Sequence, residues 1–74
     1  MKEQTYIVFL VDNKGNKVGF ERFSYKRLDT VKKAMQQLLS NSLYKVLNKT
    51  ATKLEIYETS YSIEGLEPVE TIAI

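Results

Sequence analysis

The chain has 74 residues, with 43% hydrophobic and 27% charged side chains, a formal net charge of +2, no cysteine and no histidine. This length and balance predict one small folded domain over residues 1–74 and argue against disorder. Without cysteine the chain excludes disulfides, thiolate metal sites and a thiol nucleophile, and without histidine it lacks the commonest acid–base group at neutral pH. We therefore predict a protein that is not an enzyme and has no cofactor.

Acids and bases occupy different parts of the chain. Residues 26–53 hold seven bases and only one acid, Asp29, whereas residues 54–74 hold five acids and no base. Segregation of this kind bears on association and steering rather than on catalysis. The apolar run after the N-terminus is too short for a signal peptide or a membrane span, so a cytoplasmic location is expected.

The N-terminal third predicts a β-hairpin. Residues 5–11 are mainly β-branched and aromatic, which favours a central strand. The segment 12–15, Asp-Asn-Lys-Gly, is typical of a tight turn with glycine in the left-handed conformation. Residues 17–25 alternate imperfectly, as in an edge strand, and Gly19 suggests a bulge.

From Leu28 the apolar period becomes helical. One long amphipathic helix is predicted from there to about Asn48, with Asp29 as its N-cap. Its core-facing positions are Leu28, Val31, Met35, Leu38, Leu39, Ser42 and Val46.

Two further strands are predicted at residues 53–60 and 69–74, which completes an α+β domain of order ββαββ. A right-handed crossover with each hairpin kept together favours the strand order 2-1-4-3, with one helix packed on one face of the sheet. In element order this pattern resembles the β-grasp arrangement of small immunoglobulin-binding bacterial domains. The resemblance implies a fold only, because no motif of that family is matched.

Several patterns that resemble reactive sites have simpler explanations. Ser24 and Lys26 lie where a strand gives way to the helix, and a serine there usually caps or solvates the junction. Glu55 and Glu58 are three apart in a strand and so point to opposite faces. The segment starting at Asp12 lacks the glycine and glutamate that a calcium loop requires, so no metal site is expected.

The leading functional hypothesis is protein–protein contact. One helix covers one face of a four-stranded sheet, yet the first strand is apolar on both faces. The second face therefore needs a partner, or partial cover from the long side chains of the edge strands. We expect a homodimer or a complex with another protein. The alternative is that this face simply tolerates water. The predicted contact residues are Tyr6, Val8, Leu10 and Tyr57.

Nucleic-acid binding is the alternative hypothesis. The exposed helix face is rich in lysine and amides, which could neutralise phosphates and form hydrogen bonds without much sequence discrimination. The predicted residues are Lys32, Lys33, Gln36, Gln37 and Lys45. Aromatic residues on or beside the strands offer a second route, in which bases stack on the sheet. These residues are Tyr6, Phe9, Phe20, Phe23, Tyr25, Tyr57 and Tyr61.

Overall fold

The computed structural model describes residues 4–59 and 62–74. Its elements are β1 (Gln4–Asp12), β2 (Lys17–Lys26), α1 (Leu28–Leu39), α2 (Ser42–Leu47), β3 (Ala51–Glu58) and β4 (Glu70–Ala73). The four strands form one sheet, which confirms the α+β class. Ser60, the predicted end of the third strand, lies outside the described residues, as does Tyr61.

The order of the strands differs from the prediction. The sheet runs β2-β1-β3-β4 with every neighbouring pair antiparallel, so β3 and not β4 lies beside β1, and the order 2-1-4-3 is wrong. Leu54, Ile56 and Tyr57 of β3 are buried, whereas β4 has four residues and none is buried. The longer strand, which has four apolar residues against two in β4, therefore takes the central place, since a central strand buries more apolar surface than an edge strand.

Both helices lie on one side of the sheet. Beneath them is a core whose seven buried residues come from β1, α1 and β3: Tyr6, Val8, Leu10, Val31, Met35, Leu54 and Ile56. Val8 pairs with Ile56 and Leu10 with Leu54 across the strands, so these side chains share one face. Burial of this set against α1 is the main source of stability in the fold.

The predicted single helix is broken. Ser40 ends α1, and Asn41 adopts an extended conformation and caps α2 by accepting a hydrogen bond from the Tyr44 backbone N–H at 3.1 Å. An asparagine side chain competes with the helical pattern in this way, which stops one helix and starts another. The break turns Val46, predicted for the core, outward with 64% of its surface exposed. Asp29 is not the N-cap either, because Arg27 holds that position.

The turn of the first hairpin and the bulge at Gly19 lie where the sequence predicts them. Gly15 has a φ of 85°, and Asp12 Oδ1 accepts hydrogen bonds from the backbone N–H groups of Lys14 and Asn16. The register in which β1 pairs with β2 shifts by one residue next to Gly19, which confirms the predicted bulge. It shifts again before Lys26. Bulges distort the free edge of β2 and so discourage uncontrolled strand pairing.

Candidate functional site

Within residues 4–59 and 62–74, one side of the sheet carries no helix, and we call this side the open face. It includes Ile7, Phe9 and Val11 of β1, Phe20 and Arg22 of β2, and Lys53, Glu55 and Tyr57 of β3, as the pairing register places them. Three of the four predicted contact residues are elsewhere. Tyr6, Val8 and Leu10 belong to the core beneath α1, because β1 turns these even-numbered positions toward the helix, and only Tyr57 lies on the open face.

Three aromatic rings cross the open face from strand to strand. The ring centroid of Phe9 lies 6.0 Å from that of Phe20, with the planes tilted by 32°, and 5.8 Å from that of Tyr57 in an edge-to-face arrangement. Pairs at these separations contribute about 0.5–1.5 kcal/mol beyond their buried area. Phe9 and Phe20 face each other across the predicted hairpin, so strand alternation around the turn at Asp12 was the signal that could have identified them.

Charged and polar side chains lie beside the aromatic rings of the open face. The Lys17 ammonium lies 5.3 Å from the Phe9 ring centroid, within the range of a cation–π contact. The Tyr57 hydroxyl donates to a Glu55 carboxylate oxygen at 3.1 Å, and Lys53 Nζ lies 3.5 Å from the other. Burial, and then the Glu55 carboxylate, raise the pKa of Tyr57. Glu55 therefore has two partners. Cations outnumber it on this face, because Lys17 and Arg22 lie there together with Lys53.

The open face partly covers itself. Ile7, Val11 and Tyr57 are buried although neither of the two described helices lies over them, so these three side chains are screened from water without a partner. What stays accessible is on the β2 side: Phe20, with 58% of its surface exposed, and Val18. They border a shallow depression of about 310 Å³ whose other lining residues are Phe9, Lys17 and Gly19.

The basic helix face is divided by the helix break. Lys32 forms an ion pair with Glu70 of β4 at 3.2 Å, whereas Lys33, Gln36 and Gln37 are exposed on α1. Lys45 lies on α2 and has no acidic partner within residues 4–59 and 62–74. The five residues predicted for nucleic-acid binding therefore lie on two helices, and two of them, Gln36 and Lys45, line one groove.

A groove opens between the two helices and the start of β3. Its volume is about 490 Å³, and its lining residues are Gln36, Leu39, Ser40, Lys45, Asn48, Lys49, Ala51 and Ile74. Most of the lining surface is apolar, and both charged residues are lysines. Such a groove suits a ligand that is apolar in part and negatively charged. We call it the basic groove.

Helix α2 is fixed to β2 by two contacts. The Tyr44 hydroxyl hydrogen-bonds Glu21 at 3.4 Å, and the Asn48 side chain, which donates to the Tyr44 carbonyl at 3.0 Å, lies against Gly19. Burial, and then the Glu21 carboxylate, raise the pKa of Tyr44 to about 12. Asn48 and Tyr44 therefore position the helix that carries one wall of the basic groove.

We expect the stability of the protein to fall as the pH rises from about 10 to about 12, because the folded state holds the Tyr44 proton more tightly than the unfolded state does. The contribution of Tyr44 to the free energy of unfolding is complete below pH 10, and it is lost as the pH rises through the folded-state pKa. Tyr44→Phe should reduce that dependence and remove the highest tyrosine step from an absorbance titration. An unchanged titration would contradict the assignment.

No cluster of acidic side chains that could hold a metal ion occurs in the part of the chain that the structure describes. Within the same residues, neither helix has the length and apolar character needed to cross a membrane. Comparison of the chain with protein-family models, curated proteins and solved structures gave no match.

Proposed function

We propose that the protein is a non-catalytic interaction module that self-associates through the β2 side of its open face. The observation that supports this proposal is Phe20, a large aromatic side chain that is mostly exposed beside a depression lined by Phe9, Lys17 and Val18. A protruding ring next to a recess is self-complementary. Two copies related by a two-fold axis could each place Phe20 in the recess of the other, as a symmetric interface requires.

The chemistry of the recess suits an aromatic guest. Phe9 already stacks with Phe20 within one chain, and Lys17 over the Phe9 ring provides a cation for a second ring. Full burial of an exposed phenylalanine side chain contributes about 1.5–3 kcal/mol, so Phe20, with 58% of its surface exposed, would contribute roughly half of that in each of the two copies. The contact is mainly apolar, so it should survive high salt.

Phe20→Asp should abolish the dimer while the chain stays folded, because the side chain is exposed and the new carboxylate would face apolar surface in the complex. The measurement is solution mass by size-exclusion chromatography with light scattering, at low and high salt. The wild-type chain should be a dimer at both salt concentrations. Circular dichroism should give the same spectrum for both proteins.

Tyr25→Asp is the matched control for this experiment. Tyr25 is an exposed aromatic residue of the same strand that makes no ring contact among those described, and its φ of 56° suits aspartate better than most residues. This variant should remain a dimer. A wild-type monomer, or equal dimers of wild type and Phe20→Asp, would refute the proposed contact.

Nucleic-acid binding is the second candidate, and the observation that favours it is the absence of acidic partners for three exposed lysines. Lys33, Lys45 and Lys49 form no ion pair with any described residue, whereas Lys32 does. Binding through so few phosphate contacts would be weak, and its salt dependence would be modest, because the salt slope is proportional to the number of phosphates neutralised. Affinity for a dT oligonucleotide that falls as salt increases is the expected sign of this function.

A further inference from the structure

The basic groove has a chemical counterpart on the same molecule. The segment 62–69 between β3 and β4, which we call the acidic loop, carries Glu64 and Glu67 together with Leu66 and Val69. Both apolar residues have 46% of their surface exposed. The groove offers lysines above an apolar floor of Leu39, Ala51 and Ile74, so the two surfaces are complementary in charge and in hydrophobicity.

The two surfaces lie at opposite ends of the sheet. The basic groove includes Ala51, the first residue of β3, and the acidic loop follows Glu58, the last. Val69, the last residue of the loop, donates its backbone N–H to the Ile56 carbonyl, and the five residues of strand from Ile56 to Ala51 span about 17 Å. A loop and a groove separated in this way are free to meet between different copies.

The acidic loop has an ordered turn. Glu64 donates its backbone N–H to the Ser62 hydroxyl at 3.1 Å, Leu66 donates to the Ile63 carbonyl at 2.9 Å, and Gly65 has a φ of 75°. A turn that already has its shape loses less conformational entropy on binding than a free segment does. The groove is bounded by residues of α1, α2 and β3 and is likewise formed in the single chain.

We infer that the basic groove binds the acidic loop of a second copy, with Lys45 and Lys49 beside Glu64 and Glu67 and with Leu66 on the apolar floor. This contact is head-to-tail, because each copy uses a different surface, and repeated contacts form rings or filaments. It uses neither Phe20 nor the rest of the open face, so it does not rest on the dimer proposed above. Its charged rim makes it sensitive to salt.

The test is a charge reversal on either surface, made in the Phe20→Asp background so that open-face dimerisation does not contribute. In that background, copies of the protein should associate in low salt (about 0.03 M) and not in high salt (about 0.5 M). The measurement is sedimentation velocity over a range of protein concentrations. Lys45→Glu with Lys49→Glu, or Glu64→Lys with Glu67→Lys, should each weaken the association at least about 10-fold. All four residues are exposed, so both variants should fold.

Mixing the two charge-reversed proteins gives the decisive result. Each retains the surface that the other has lost, so an equimolar mixture should associate although neither component does alone. Lys14→Glu with Arg22→Glu makes the same change in net charge as the lysine variant at exposed residues that line neither surface, and it should leave association intact.

Three outcomes would overturn the inference. They are a Phe20→Asp protein that stays monomeric in low salt, charge-reversed variants that associate as strongly as their parent, and a mixture that does not associate. If the first of these outcomes came with binding of a dT oligonucleotide through Lys45 and Lys49, nucleic acid would be favoured as the partner of the groove.

Discussion

Leu10→Asp should unfold the protein. Leu10 is completely buried between the sheet and α1, within the core formed with Met35 and Leu54. A carboxylate there would have no ion-pair partner, and an unpaired buried charge costs about 3–5 kcal/mol in addition to the lost apolar burial. A domain of this size has a stability of only about 3–5 kcal/mol, so the substitution removes all of it. Far-UV circular dichroism with a urea titration would measure the loss.

The control for Leu10→Asp is Phe20→Asp, which places the same group on the neighbouring strand at an exposed site. It should keep a cooperative urea transition with a midpoint close to that of wild type. The pair of variants distinguishes the two faces of the sheet, because only the face beneath the helices is predicted to reject a charge. A folded Leu10→Asp protein would mean that the helices cover the other face.

Gly19→Ala should destabilise the protein by about 2 kcal/mol, within the usual range for overpacking. A Cβ atom at Gly19 would lie 2.5 Å from Asn48 Oδ1 and 3.5 Å from a Leu10 methyl carbon. Asn48 cannot move without disturbing its hydrogen bond to the Tyr44 carbonyl, so the clash should loosen α2 from β2. The measurement is the free energy of unfolding from urea titrations.

A double-mutant cycle isolates that clash. With Asn48→Ala already present, Gly19→Ala should cost little further, which gives a coupling energy close to the whole cost of Gly19→Ala, about 2 kcal/mol. Gly15→Ala is the comparison, because Gly15 has open space around it and its cost comes only from the positive φ. That cost should be the same with and without Asn48→Ala. Additive effects for Gly19→Ala would contradict the close approach of the two elements.

The first hairpin could be predicted from sequence because its signals are local. The turn at Asp12, the left-handed Gly15 and the bulge at Gly19 each depend on residues within a few positions. The strand order could not be fixed in this way, since it depends on which distant strand buries more surface against β1. The crossover rule and the hairpin rule favoured β4, and the burial of Leu54 and Ile56 favours β3.

The site was predicted less well than the fold for a related reason. β1 is apolar on both faces, so its pattern alone does not say which face meets the helix, and Tyr6, Val8 and Leu10 were placed on the wrong one. The helical period of apolar residues continues past Ser40 in the sequence, because Ser42 and Val46 match the apolar arc. In the structure Asn41 caps a second helix there, so the first helix ends. The basic groove results from that break and so had no signal in a single long helix.

The central pairing of β1 with β3 determines when the protein can fold. These two strands are separated in the chain by β2 and both helices, so the middle of the sheet depends on contacts of high sequence separation. Until residues 51–58 have been synthesised, the first hairpin has an unpaired apolar edge at β1. We therefore expect the native sheet to form only after β3 has been synthesised, and a chain that ends before β3 to be prone to aggregation through that edge.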